Sequence, residues 1–187
     1  MVIAQPFAAL LAAAVALVAG LPAAVGSHTG ILLTATQVGP LRLGLATPVQ
    51  VQAFAGKPQH VWRFAGNGQI PGNGLFLNRA QAYGYGCTAP VAMRGCRTVY
   101  AIKSGRLLGF YTRGSGFHTQ AGTRVGTSLT QALSREHGQW AGFSVQCPAI
   151  VFPASATAEF KADVTRTPPR VSDFLISLAP QSFSDGC

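Results

Sequence analysis

The sequence predicts an α+β protein in which two tandem helix-plus-antiparallel-meander units form one sheet with helices on one face. Three observations predict it. The phrase "RLGLATPVQVQAFAGKP" at residues 42–58 returns as "RVGTSLTQALSREHGQ" at 124–139. Each copy is followed by runs in which apolar and polar residues alternate with period two, the signature of strands with one covered face. Four cysteines, an even number, follow an apolar leader, which points to an exported, disulfide-stapled chain.

Residues 1–26, "MVIAQPFAALLAAAVALVAGLPAAVG", carry no charge and are mostly Ala, Val and Leu. This is the composition of a signal-peptide core followed by small residues that a peptidase accepts. The segment is expected to be cleaved near Val25 or Ser27, leaving a secreted, extracellular or cell-envelope protein. The competing reading is an uncleaved membrane anchor, because the apolar run from Phe7 to Val25 approaches the roughly 20 residues that span a bilayer. No Cys closes the run, so a lipid anchor is not expected.

Residues 27–118 are read as the first unit. Thr47 caps a helix, Pro48 fits its first position, Val51 and Phe54 give it one apolar stripe, and Gly56 ends it. "VWRF" at 61–64 adds a leading strand, "AGNGQIPGNG" at 65–74 is a flexible inserted loop, and "TVYAIKSGRLLGFYT" at 98–112 is a hairpin about the two-residue turn Ser104-Gly105. Residues 119–187 are the second unit. Superposing Arg42 on Arg124 without a gap puts Gly44 over Gly126, Val51 over Leu133 and Gly56 over Gly138, with Thr127 or Ser128 as cap and Leu129, Ala132 and Leu133 as stripe. The strands that follow are "FSVQC" at 143–147, "ATAEFKADVT" at 156–165 with Ala158, Phe160, Ala162 and Val164 on the covered face, and "VSDFLISL" with Phe174, Ile176 and Leu178 aligned. The loop "RTPPR" separates the last two. Helices this short are marginal alone. Each therefore needs a sheet to lie on, and the opposite sheet face is left to water.

All four cysteines, Cys87, Cys96, Cys147 and Cys187, lie beyond the leader. Of the three possible pairings, Cys87 with Cys96 and Cys147 with Cys187 is preferred, because the first pair brackets a short Pro/Gly loop and the second ties down the last residue. A bridge closing a loop of that length stabilises by roughly 2–3 kcal/mol, chiefly through the unfolded chain. Zinc ligation would need closely paired ligands, and none occur.

The formal net charge of +9 conceals a division: residues 1–135 contain eleven Lys or Arg and no Asp or Glu, while all five acids, Glu136, Glu159, Asp163, Asp173 and Asp185, fall after them. A field of this kind draws anions over about 10 Å at moderate salt. An anionic envelope polymer, an acidic lipid surface, an acidic protein and nucleic acid all fit it. The competing reading is ordinary solvated arginine.

The segment "GPLRLGLATPVQVQAFAGKP" resembles the recurring unit start of the β-lactamase inhibitor protein and of small outer-membrane-assembly lipoproteins, where a G-x-x-x-G-[ML]-[ST] turn precedes a helix ending in G-x-P. The resemblance covers most of residues 38–180. It implies tandem α/β units sharing one antiparallel sheet, and one bridge per unit, in keeping with the preferred pairing. Two departures limit it to the fold. The inhibitors offer an acidic residue from their first unit, where this chain has none, and the lipoproteins are anchored through a Cys that the leader lacks.

Catalytic chemistry finds little support. Paired carboxylates would have to converge on one bond, yet Glu159 and Asp163 fall on the wet face of one strand. "GSGF" at 114–117 misses a nucleophile elbow, and His118 has no acid following it until Glu136. Cys87 beside Arg94 and Arg97 would be a nucleophile only if it were not bridged. His28, His60, His118 and His137 lack ligand spacing, and the Gly-rich loop lacks the Lys-Ser/Thr of a P-loop. No cofactor or metal is expected.

A binding surface is what the residues favour. Arg63, at the end of the strand "VWRF", is grouped with Arg79, Tyr83, Tyr85, Arg94 and Arg97, which with Met93 are read as lying on long loops stapled by one bridge. Tyr and Arg commonly carry interface energy, and a rigid loop loses less entropy on docking. The competing reading has Tyr83 and Tyr85 packed on their own sheet. The sequence thus predicts a secreted, disulfide-stabilised binding protein rather than an enzyme, either a protein inhibitor or a cell-envelope-associated factor. Its partner is expected to be a protein or an anionic envelope component, with no nucleic acid, and a membrane only if the leader is uncleaved. A small exported hydrolase is the alternative.

Overall fold

Two eight-residue helices lie across the middle of one long antiparallel sheet, and the glycine before each explains how they reach it. The computed structural model describes residues 30–69, 76–88, 95–136, 139–142, 148–151, 158–163 and 167–178. In chain order the elements are β1 (Ile31–Thr34), β2 (Gln37–Val38), β3 (Leu41–Arg42), α1 (Pro48–Ala55), β4 (His60–Arg63), β5 (Asn67–Gln69), β6 (Phe76–Asn78), β7 (Ala80–Cys87) and β8 (Cys96–Lys103). There follow β9 (Arg106–Thr112), β10 (Phe117–Thr119), α2 (Leu129–Glu136), β11 (Gln139–Gly142), β12 (Pro148–Val151), β13 (Ala158–Asp163) and β14 (Arg170–Ser177). The fold is α+β, with strands dominating.

The large sheet has the order β4-β7-β8-β9-β14-β13-β12-β11, every neighbouring pair antiparallel. Each helix thus precedes a four-stranded meander, and the two meanders join edge to edge through β9 and β14. Ser104 and Gly105, at φ +49° and +70°, turn the chain between β8 and β9 with Lys103 opposite Arg106, the two-residue turn expected from the sequence.

Gly44 at φ +77° donates its N–H to the Leu107 carbonyl on β9 at 2.7 Å, and Gly126 at φ +92° donates to Val171 on β14 at 2.8 Å. The strands answer: Leu107 donates to Ala46 and Val171 to Thr127, both at 2.8 Å. Each glycine takes a backbone conformation that side chains with a Cβ resist, and so pins the start of its helix to a central strand. Thr47 then caps α1 in a full capping box, its Oγ1 accepting from the Gln50 N–H at 3.3 Å while the Gln50 Oε1 accepts from the Thr47 N–H at 2.8 Å. In the other copy Ser128 caps α2, accepting from Gln131 N–H at 3.3 Å, and Thr127 closes the preceding turn by accepting from Arg124 N–H at 2.9 Å.

These contacts correct the gapless superposition. Gly44 matches Gly126, but the caps are Thr47 and Ser128 and the buried helix residues are Val51 and Ala132, so the second loop is one residue shorter between glycine and cap. Val51 corresponds to Ala132, not to Leu133. Gly138, matched with Gly56, lies outside the described residues, as do the leader and "FSVQC"; the described leading strand of the second meander is β11.

Two further corrections concern the sheet faces. On the helix side Val51, Tyr83, Tyr100, Phe110, Ala132, Phe174 and Ile176 form one core. Leu33, Val38 and Leu41 join it from a small sheet of order β10-β1-β2-β3, in which β1 runs parallel to β10. Of this small sheet the sequence shows only a short extended piece before Gly44, which is β3. The opposite face is not wet: Leu77, Ala80, Ala82, Val99, Ala101, Tyr111 and Leu175 form a second core with Trp62 and Phe64 against it. Part of the Gly-rich stretch read as a loop is the strand β5, paired with β6. Leu77 of that hairpin packs into the second core, and the covered face explains why Phe174, Leu175 and Ile176 are buried in succession. Leu178, expected in line with Phe174 and Ile176, is exposed.

Candidate functional site

The strand register decides which of the expected binding residues meet. Pairing of Ala80 with Lys103 and of Arg63 with Gln81 brings the end of β4, the start of β7 and the β8–β9 turn together. Arg63 and Arg79 there line an open depression of about 420 Å³ with Gln81, Ser104, Gly105 and Pro48, the first residue of α1. Both arginines are exposed. Arg79 sits at φ +48°, its N–H directed to the Gly66 carbonyl at 3.4 Å. Lys103 and Arg106, also exposed, flank the turn. Arg106 Nη1 donates to the Leu45 carbonyl at 2.9 Å, which ties this end to the loop leading into α1.

Four cations therefore gather where Arg63 and Arg79 alone had been expected. Lys103 and Arg106 were missed although "AIKSGRLL" shows them bracketing a recognised turn; what the sequence hides is that β7 delivers Arg79 to the same end.

The remaining expected residues do not join them. The run "NRAQAYGYGC" is largely strand, not loop. Tyr83, 6 % exposed, belongs to the helix-side core, and Tyr85 lies edge-on to Tyr100 with centroids 5.5 Å apart. The Tyr85 hydroxyl donates to the Gly56 carbonyl at 3.0 Å. Burial, with Tyr83 adding to it, pushes its ionisation up to about 12. Burial likewise raises Tyr100. Tyr83 thus packs into the core beneath α1, and half-buried Tyr85 ties the end of α1 to the sheet. Arg97 is exposed at the other end of β8, about 20 Å from Lys103 at 3.3 Å per residue. Arg94 and Met93 lie outside the described residues.

The bridge between Cys87 and Cys96 is present; Cys147 and Cys187 lie outside the described residues. Beside the bridge, the aromatic ring of Trp62 lies across Gly84. His118 is buried, with Nδ1 2.9 Å from the Thr119 carbonyl, and the Thr119 hydroxyl donates to Glu136. On the second face Tyr111 is held protonated mainly by burial, then by neighbouring Asp173, with Arg113 opposing. Among the described residues no group of three His, Cys, Asp or Glu is placed to hold a metal, and no helix is long and apolar enough to cross a membrane.

Fold and site together define an α+β protein whose first meander ends in a basic depression. No family model and no curated protein matches the chain. Among solved structures it is similar to the uncharacterized protein YfeY from Escherichia coli, with 16 % sequence identity, a TM-score of 0.47, and coverage of 80 % of this chain and 99 % of that one.

Proposed function

We propose that the protein is a secreted or envelope-associated, disulfide-stabilised binding protein that engages an anionic partner through the basic end of its first meander. One observation carries the reading: Arg63 and Arg79 line one depression together with the Ser104-Gly105 turn that Lys103 and Arg106 flank, and all four lie within a stretch, residues 1–135, that contains no acid. Cations grouped without interspersed carboxylates focus their field outward. The Cys87–Cys96 bridge supports an oxidising compartment, and the apolar leader supports export. A protein inhibitor and an envelope-associated factor are both binding proteins of this kind.

The hydrolase reading has less to draw on. Its thiol candidate, Cys87, is bridged, and His118 is buried against a backbone carbonyl.

The test is titration of the purified protein with heparin, a generic soluble polyanion, at increasing salt. Binding that weakens as salt rises, and that drops about tenfold in Arg63→Gln/Arg79→Gln, corresponding to about 1.4 kcal/mol, is the expected result. Binding that is absent, or indifferent to the double substitution, would overturn the proposal.

A further inference from the structure

Resting on that reading, we infer that the anionic partner is a lipid surface, onto which the basic end docks with Leu45 and Val49 entering the headgroup layer. The apolar half of the argument is independent of the charges. Val49 is 75 % exposed and Leu45 59 % exposed, the one in the first turn of α1 and the other in the loop that precedes it. They are the two most exposed of the large apolar side chains among the described residues. Helix α1, "PVQVQAFA", carries no charge at all; Gln50 and Gln52 are its exposed polar residues, so no charge on it has to be desolvated at a headgroup layer.

Two contacts place this apolar tip beside the cations. Leu45 is held by Arg106 through its carbonyl, and Pro48, next to Val49, lines the depression with Arg63 and Arg79. On the far side of Leu45 the apolar surface continues as a groove of about 480 Å³ between α1 and the β3 region, lined by Pro40, Leu41, Ala46 and Phe54, with Arg42 at its edge. Leu178, 42 % exposed, adjoins Gly44. Apolar residues beside Arg42, Arg63, Arg79 and Arg106, with no carboxylate lining either hollow among the described residues, match the layering of a bilayer interface, where acyl chains lie just beneath a sheet of phosphates. A soluble polyanion would use the cations and leave Leu45 and Val49 in water. The charge complementarity and the apolar tip together favour the lipid.

The test uses the bridged protein with vesicles of phosphatidylglycerol mixed with phosphatidylcholine, vesicles of phosphatidylcholine alone, and heparin. Sedimentation with the anionic vesicles but not the neutral ones is expected. Leu45→Ser/Val49→Ser should weaken that partition about tenfold, the apolar area involved being a fraction of two side chains, while heparin affinity stays unchanged. Both positions are exposed, so the fold survives, which the far-ultraviolet dichroism of the variant checks. Heparin binding without vesicle binding, or vesicle binding indifferent to the double serine variant, would overturn the lipid assignment and leave the anionic-partner reading intact. Loss of heparin and vesicle binding alike in the parent protein would sink both.

Discussion

Gly84 shows how a single missing side chain organises the sheet next to the bridge. A Cβ there would sit 2.6 Å from Cζ3 of Trp62 and 2.9 Å from Sγ of Cys96, both far inside van der Waals contact, and both belong to packed groups that cannot swing away. Gly84→Ala should therefore cost about 1–3 kcal/mol, the range for overpacking a core, read as a lower denaturant midpoint, and the Trp62 fluorescence should change with it. At Gly126 a Cβ would meet nothing within 4 Å; its glycine serves the backbone conformation alone. The tyrosines give a pH prediction of fixed sign. Tyr85, Tyr100 and Tyr111 all hold their protons more tightly in the folded chain than free phenols do, chiefly through burial. Below about pH 10, the ordinary phenol value, folded and unfolded chains are both protonated and these groups leave stability level. Above it the unfolded chain releases protons that the folded chain keeps, so stability falls as pH rises toward 12, where Tyr85 itself ionises in the folded state. Phenolate absorbance recorded alongside unfolding curves checks this; stability that rose through that window would contradict it.

At the scale of elements, the helices were legible because their start and stop signals are local: a cap, a proline at the first position, a glycine pinned to a strand. The Ser104-Gly105 hairpin was legible for the same reason. The one-residue difference between the two loops was not, since a gapless superposition places Leu129 and Leu133 on an equally plausible stripe, and only the shared hydrogen bonds to β9 and β14 settle that Ala132 is the equivalent of Val51. That register is testable. Ala132 is fully buried against the sheet, so Ala132→Leu should destabilise by about 1–3 kcal/mol, whereas Ala53→Leu, at an exposed position of α1, should be close to neutral; chemical denaturation of the two variants distinguishes them. Most of the small sheet was missed because β2 and β3 are two residues each, too short for a period to register. Of the candidate site, Arg63 and Arg79 were legible as cations, but Tyr83 and Tyr85 were assigned to a loop. The glycines of "AYGYGC" read as loop punctuation, while in the fold Gly84 makes room for Trp62 and the tyrosines alternate onto the helix side.

For the whole molecule, the division of charge along the chain becomes a matter of position only once the strands are laid side by side. Arg63, Arg79, Lys103 and Arg106 are scattered over more than forty positions of sequence, yet antiparallel pairing of β4, β7, β8 and β9 returns them to one end. Arg97 is carried by the same pairing to the other end, and Lys57 follows Gly56 at the opposite end of α1 from Pro48. Net charge alone would make all these cations equivalent for long-range attraction; a built surface would not. The direct measurement is a comparison of two variants with identical net charge, Arg63→Glu/Arg79→Glu and Lys57→Glu/Arg97→Glu, in heparin binding at one moderate salt concentration. The first pair should lose most of the affinity and the second should keep most of it. Equal losses in the two would mean that attraction follows total charge, and that the basic end of the first meander is no binding surface.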